Sequence, residues 1–265
     1  MLDIVSATKV FERGTPVEHT ALRNLSLHLE EGEFATIIGS NGAGKSTLFN
    51  AICGTFLLDE GTITLAGEDI TFRREHQRAR QIGRVFQDPM MGTAPHMTIA
   101  ENLSLAHSRS AALPLHFAPT KKERELFRER LAAFDMGLEN RLDTKVGLLS
   151  GGQRQAVTLL MCTIVPPKLL LLDEHTATLD PAMAEKVLAL TRQIVAEEHL
   201  TCMMITHNMH SALELGTRTL VMDAGRIVMD VAGEERAGLD VPALLETFRS
   251  LAGHALDNDR MLLGE

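Results

Sequence analysis

The sequence predicts an α/β fold: a parallel sheet at the core, an antiparallel β portion from the amino-terminal strands, and an inserted helical subdomain. Three observations carry this. A glycine-rich loop at 39–46 lies between an apolar strand and a helical stretch, strand and helix alternate across 152–206, and the chain changes character after Gln87. The 265 residues suffice for one domain that buries a sizeable core, 1–87 and 151–265 forming the body and 88–150 the helical subdomain.

Leu25, Leu27 and Leu29 alternate with polar residues, the pattern of a half-buried strand, and a turn at Glu31-Gly32 leads into the apolar run 34–38. Residues 62–66 and 82–86 read as further short strands, the first entered through Asp59-Glu60-Gly61. In the charged stretch that follows, Thr120 with Glu123 forms a capping box, and Leu126, Phe127, Leu131 and Phe134 fall at near-helical spacing. From Gly152 a helix leads to a strand at 168–173, then a helix at 181–198 opened by Pro181, then a strand at 201–206. That βαβ alternation demands parallel strands. A hairpin at 218–222 and 226–230 turns on Asp223-Ala224-Gly225, a helix at 241–251 follows, and the tail beyond is too short for a separate regulatory domain.

A net charge of −9 argues against a protein that neutralises nucleic-acid phosphates, so no nucleic-acid partner is expected. Cys53, Cys162 and Cys202 are scattered without a C-x-x-C pair, which suggests neither a disulfide framework nor a zinc site and fits a reducing cytosol. The histidines contain no helical H-x-x-x-H pair, and the amino terminus shows no secretion signal. The apolar window 156–172 is cut by Pro166, Pro167 and Lys168 into pieces too short to span a membrane. If the protein works at a membrane, another subunit must supply the spanning segments.

Gly39-Ser40-Asn41-Gly42-Ala43-Gly44-Lys45-Ser46, followed by Thr47, matches G-x-x-x-x-G-K-[ST] in the strand-to-helix setting that a phosphate loop requires. The glycines let amide N–H groups converge on phosphate oxygens, the helix adds its positive end, Lys45 reaches the outer phosphates, and Ser46 binds Mg²⁺. Asp173 and Glu174 end a buried strand where α/β sheets bind ligands. Asp173 suits a Mg²⁺ ligand, and Glu174 could polarise the attacking water. These features alone also fit a small-molecule kinase or a switch GTPase.

Leu149-Ser150-Gly151-Gly152-Gln153 decides against both, because a serine and two glycines before a helix form a second anion site, and one fold has no evident need for two. With the phosphate loop, this run resembles the signature of the ATP-binding cassette (ABC) ATPases, in which each signature faces the ATP held by a partner subunit. The resemblance covers nearly the whole chain in the family's order and implies the P-loop NTPase core of the ABC ATPase fold. By the same resemblance Gln87 matches the glutamine that touches the Mg²⁺ and water region and senses the membrane partner. Thr178-Leu179-Asp180 matches the D-loop, His207 the switch histidine on the γ-phosphate, and Phe11 the aromatic that stacks on adenine, although a core position is the alternative for Phe11. Catalytic roles are expected of Lys45, Gln87, Glu174 and His207, with ATP and Mg²⁺ as cofactors and Ser46, Gln87 and Asp173 as the metal's ligands.

The chain has neither Trp nor Tyr, so base stacking falls to Phe11 or a weaker platform, and His175 stands after Glu174 where the family often has Pro. That variant resembles a branch of bacterial importer ATPases for amino-acid-like solutes. The implied protein is a cytoplasmic ATPase, peripheral on the inner face of the plasma membrane. It dimerises around two ATP molecules and drives separate polytopic permease subunits, with an external solute-binding protein as a further partner. An exporter or lipid-extraction ATPase, or a soluble ATPase of iron–sulfur cluster assembly, are the alternatives.

Overall fold

The structure, a computed structural model, describes residues 1–109 and 119–252. Residues 110–118 of the inserted stretch and the tail beyond the last helix lie outside the described residues.

Two compact units emerge, one formed by residues up to Ile82 and from Leu200 onward, the other by Gly83–His199. In the first, β1 (Leu2–Phe11) pairs antiparallel with both β2 (His19–Leu29) and β4 (Glu60–Leu65), and β5 (Glu68–Asp69) completes the order β2-β1-β4-β5. Leu25, Leu27 and Leu29 are buried while Ser26 and His28 face solvent, as expected of a strand with one wet face. β3 (Phe34–Gly39) is buried throughout because parallel neighbours flank it, β8 (Thr201–Ile205) on one side and β9 (Arg218–Asp223) on the other. β9 turns back antiparallel into β10 (Arg226–Ala232), the hairpin that the sequence predicts.

Helix α1 (Lys45–Cys53) leaves β3 through the glycine loop and stops at Gly54, which adopts the left-handed conformation and donates to the carbonyls of Asn50 and Ala51. The short α2 (Glu75–Arg78) contributes a second stop. The buried Arg78 guanidinium donates to the carbonyls of Ala51 at 2.8 Å and Ile52 at 3.0 Å, adding side-chain donors to the last turn of the helix. Helices α7 (Met209–Leu215), α8 (Gly233–Ala237) and α9 (Val241–Ala252) end the described chain. Met209, Ala212, Leu244 and Phe248 pack with Ile38 and Val221 in one cluster, so α7 and α9 cover the strands that carry the loop.

The second unit holds β6 (Ile82–Val85), α3 (Ile99–His107), α4 (Lys121–Ala132), α5 (Gly151–Thr163), β7 (Leu169–Asp173) and α6 (Pro181–Glu197). The capping box opens α4 as predicted: Thr120 Oγ1 accepts from the Glu123 amide and Glu123 Oε2 accepts from the Thr120 amide. Phe127 and Leu131 then fall on the buried face. Short 3-10 turns at Leu138–Asn140 and Val146–Leu148 lead into α5. β7 lies beside β6, and its four leucines, 169 to 172, are fully buried, each contributing about 1.5–3 kcal/mol of transfer free energy.

Candidate functional site

In the first unit the loop 39–46 is shaped by backbone crowding. Gly39 has φ 155°, and a Cβ there would lie 2.2 Å from the Met222 carbonyl oxygen. At Gly44, with φ 100°, a Cβ would lie 2.5 Å from that of Ala21. Only glycine lets the chain pass both walls. Lys45 is 6% exposed, and its Nζ donates to the carbonyls of Gly39 at 2.7 Å and Ser40 at 2.9 Å, which folds the ammonium over the loop. Asn41, Gly42 and Ser46 are exposed, Thr47 is half-buried behind them, and the start of α1 points its amides into the loop.

The β9–β10 turn props the loop from behind. The Gly225 amide donates to the Ala43 carbonyl at 3.0 Å, and Ser40 Oγ donates to Asp223 Oδ1 at 3.3 Å. The sequence shows this hairpin but not its task, since these contacts join residues far apart along the chain. His207 also emerges at the loop's end of the sheet: Ile37 pairs with Ile205, the Thr206 amide donates to Ile37 O at 3.2 Å, and the half-buried His207 follows. Asn208 Oδ1 accepts the Ser211 amide and starts α7, a helix that the sequence reading passes over although Asn208 is its signal.

Phe11 is 37% exposed and stands at the surface, not in the core. Its ring meets Phe56 edge-on at 5.3 Å, and Lys9 Nζ lies 5.5 Å from the Phe11 centroid and 5.3 Å from that of Phe56. Lys9 is itself held by the Leu57 carbonyl and by Asp59, whose carboxyl is kept below its ordinary range chiefly by the Val10 amide. The ring is thus held in place with part of its surface open to solvent.

In the second unit charge does the organising. Asp173 ends β7 with only 9% of its surface exposed, and its Oδ2 accepts Arg84 Nη2 at 2.7 Å. Glu174, half-buried, takes the left-handed conformation at φ 48°, which costs a non-glycine residue about 1–2 kcal/mol and turns the chain sharply after the strand. His175 is buried, with Nε2 3.1 Å from Thr191 Oγ1. Because that hydroxyl donates to the Val187 carbonyl, the imidazole is the donor. Burial pushes the His175 pKa down to about 4, so the ring is neutral at ordinary pH and ties the turn to α6. Asp180 caps α6 through the Met183 amide at 3.1 Å. Gln87 is exposed just past β6.

Ser150 caps α5: its Oγ accepts the Gln153 amide at 3.3 Å, while Gln153 Oε1 reaches back to the Ser150 amide at 3.4 Å. Gly151 is exposed beside it. Gly152 is pressed onto α6, where a Cβ would lie 1.9 Å from Met183 Cγ. One turn on, the fully buried Gln155 donates from Nε2 to the Phe86 carbonyl at 3.3 Å, joining this helix to the segment that ends at Gln87. Arg84 and Gln155 are absent from the sequence reading, since nothing local marks them.

Comparison with known proteins gives one consistent result. The family model described as ABC transporter matches residues 22–177, more than half of the chain. A tyrosine transport ATP-binding protein of Clostridioides difficile (strain R20291) is 44% identical over 248 residues, 94% of this chain and 98% of the relative. The thiamine import ATP-binding protein ThiQ of Shigella boydii serotype 4 is 34% identical over 218 residues, 82% of this chain and 88% of its own. Among solved structures, a dimeric ATP-binding cassette in a post-hydrolysis state with ADP and Pi aligns with a TM-score of 0.76 at 26% identity, covering 88% of this chain and 98% of that one. An ATP-binding cassette of an ABC transporter aligns at 0.78 with 27% identity, covering 96% and 97%.

Proposed function

Since this chain belongs to the ABC transporter family, as an ATP-binding cassette that hydrolyses ATP, we propose that it powers a bacterial importer of amino-acid-like solutes. The observation that carries the solute class is the 44% identity, over 98% of its length, to a protein named for tyrosine transport. His175 agrees with it. No helix among the described residues is long and apolar enough to cross a membrane. In this reading separate polytopic subunits form the permeation path and the cassette is peripheral on their cytoplasmic side. These subunits dock near Gln87 and the helical stretch 88–150, and an external binding protein supplies the solute.

The working unit is a homodimer closed around two ATP molecules. Phe11 stacks on adenine, and the amides of 39–46 and Lys45 hold the phosphates. Ser150, Gly151, Gly152 and Gln153 of the partner copy close on the γ-phosphate, with Asp180 beside them. Glu174 takes a proton from the attacking water, and His207 and Gln87 hold the γ-phosphate and that water in line. The Ser46 hydroxyl, the Asp173 carboxylate and the Gln87 amide oxygen are hard donors of the kind that hold Mg²⁺, and the Asp173 carboxylate already faces a cation, the Arg84 guanidinium, at 2.7 Å. When bound, Mg²⁺ neutralises charge on the outer phosphates. Loss of γ-phosphate removes the link across the dimer, and differential affinity for the two states turns hydrolysis into motion.

The test is Glu174→Gln, which keeps the side chain's shape and removes the proton acceptor. ATP affinity should stay, hydrolysis should slow by about a hundredfold or more, and light scattering should show an ATP-dependent dimer that Ser150→Arg dissolves. Hydrolysis at the wild-type rate would remove Glu174 from the mechanism. Failure of tyrosine-like amino acids to stimulate the ATPase of the complex with its permease and binding protein would overturn the solute class.

A further inference from the structure

Within the unit Gly83–His199, the start of the path to Gln87 is gripped by the signature helix. Cys162 Sγ donates to the Arg84 carbonyl at 3.2 Å, and Gln155 Nε2 donates to the Phe86 carbonyl. The Arg84 guanidinium then lies 4.7 Å from the Phe86 ring centroid, a cation–π contact that fixes its direction. So held, it reaches Asp173 at 2.7 Å, with both side chains only 12% exposed. Water and salt screen such a pair far less than a surface pair, and neither charge can lose its partner without a replacement.

We propose that Arg84 is a positioning residue for metal capture: it keeps the Asp173 carboxylate charge-balanced, so that the carboxylate accepts a divalent cation only together with the phosphates of a nucleotide. The inference rests on the reading of Asp173 as a Mg²⁺ ligand. A divalent ion arriving alone must displace the guanidinium or sit beside it, and both are opposed by Coulomb repulsion in a weakly screened site. Phosphates bring the negative charge that offsets the repulsion. The pair thus makes the cassette select the metal–nucleotide complex over the free metal.

Mn²⁺ is the probe, titrated by electron paramagnetic resonance against the full chain with and without a non-hydrolysable ATP analogue. R84Q and R84M, the latter keeping an apolar stem over Phe86, should each bind Mn²⁺ alone about tenfold more tightly than wild type. The gap between affinities with and without nucleotide should narrow by the same factor. R84K retains the charge and should keep the weak metal-alone binding of wild type. Unchanged or weaker Mn²⁺ binding by the neutral variants, or a rise in R84K equal to theirs, would make the pair a structural tie and overturn the proposal. D173N separates the two levels: if it binds Mn²⁺ with nucleotide as wild type does, the ligand reading of Asp173 fails, whatever Arg84 does.

Discussion

The two units keep their reactive charges in opposite ways. In the first, the cation Lys45 is held by backbone, the carbonyls of Gly39 and Ser40, inside a loop whose path is set by the carbonyls of Met222 and Ala21. In the second, the anion Asp173 is held by a side chain, Arg84, whose own direction depends on Phe86. A backbone cradle serves any phosphate chain, because amides carry no identity, whereas a side-chain clamp can be tuned one residue at a time. The difference teaches where variation should be tolerated: scarcely in the walls of the loop, more readily around the acids.

The largest effect expected is at Lys45. Lys45→Ala removes the positive partner of the developing charge on the outer phosphate oxygens, and kcat in an ATPase assay should fall by about 10²–10³-fold. Turnover near wild type would mean that the backbone cradle alone suffices, breaking the comparison from the loop side. Gly39→Ala should cost about 3 kcal/mol in urea denaturation, because the new Cβ meets a backbone carbonyl that cannot swing aside. Phe11→Ala should weaken ATP binding by about 1–3 kcal/mol in calorimetric titration and leave the melting temperature nearly unchanged, since the ring is partly exposed. Gly152→Ala is the counterpart to Gly39→Ala in the acid unit. Its Cβ meets a methionine side chain that can rotate, so about 1 kcal/mol is expected from the same denaturation series. Equal costs at the two glycines would erase the distinction between a backbone wall and a side-chain wall.

Much of the molecule was legible in the chain because its signals are local. The glycine loop, the capping box at Thr120, the alternation of Leu25, Leu27 and Leu29, and the unbroken leucines before Asp173 all express a period or a cap within a few residues. They determined the α/β architecture, and the ordered motifs determined the resemblance to the ABC ATPases. The tertiary structure decided what depends on distant partners. Asp223 and Gly225 brace the loop across more than 180 positions of sequence, and Arg84 meets Asp173 across 89. Arg78 closes α1 and Gln155 reaches Phe86 by the same long-range logic. The neutrality of His175 likewise follows from burial, which no neighbour in sequence imposes. The physical reason is one of range: propensity and capping act over a turn of chain, whereas desolvation and ion pairing depend on what the fold brings alongside.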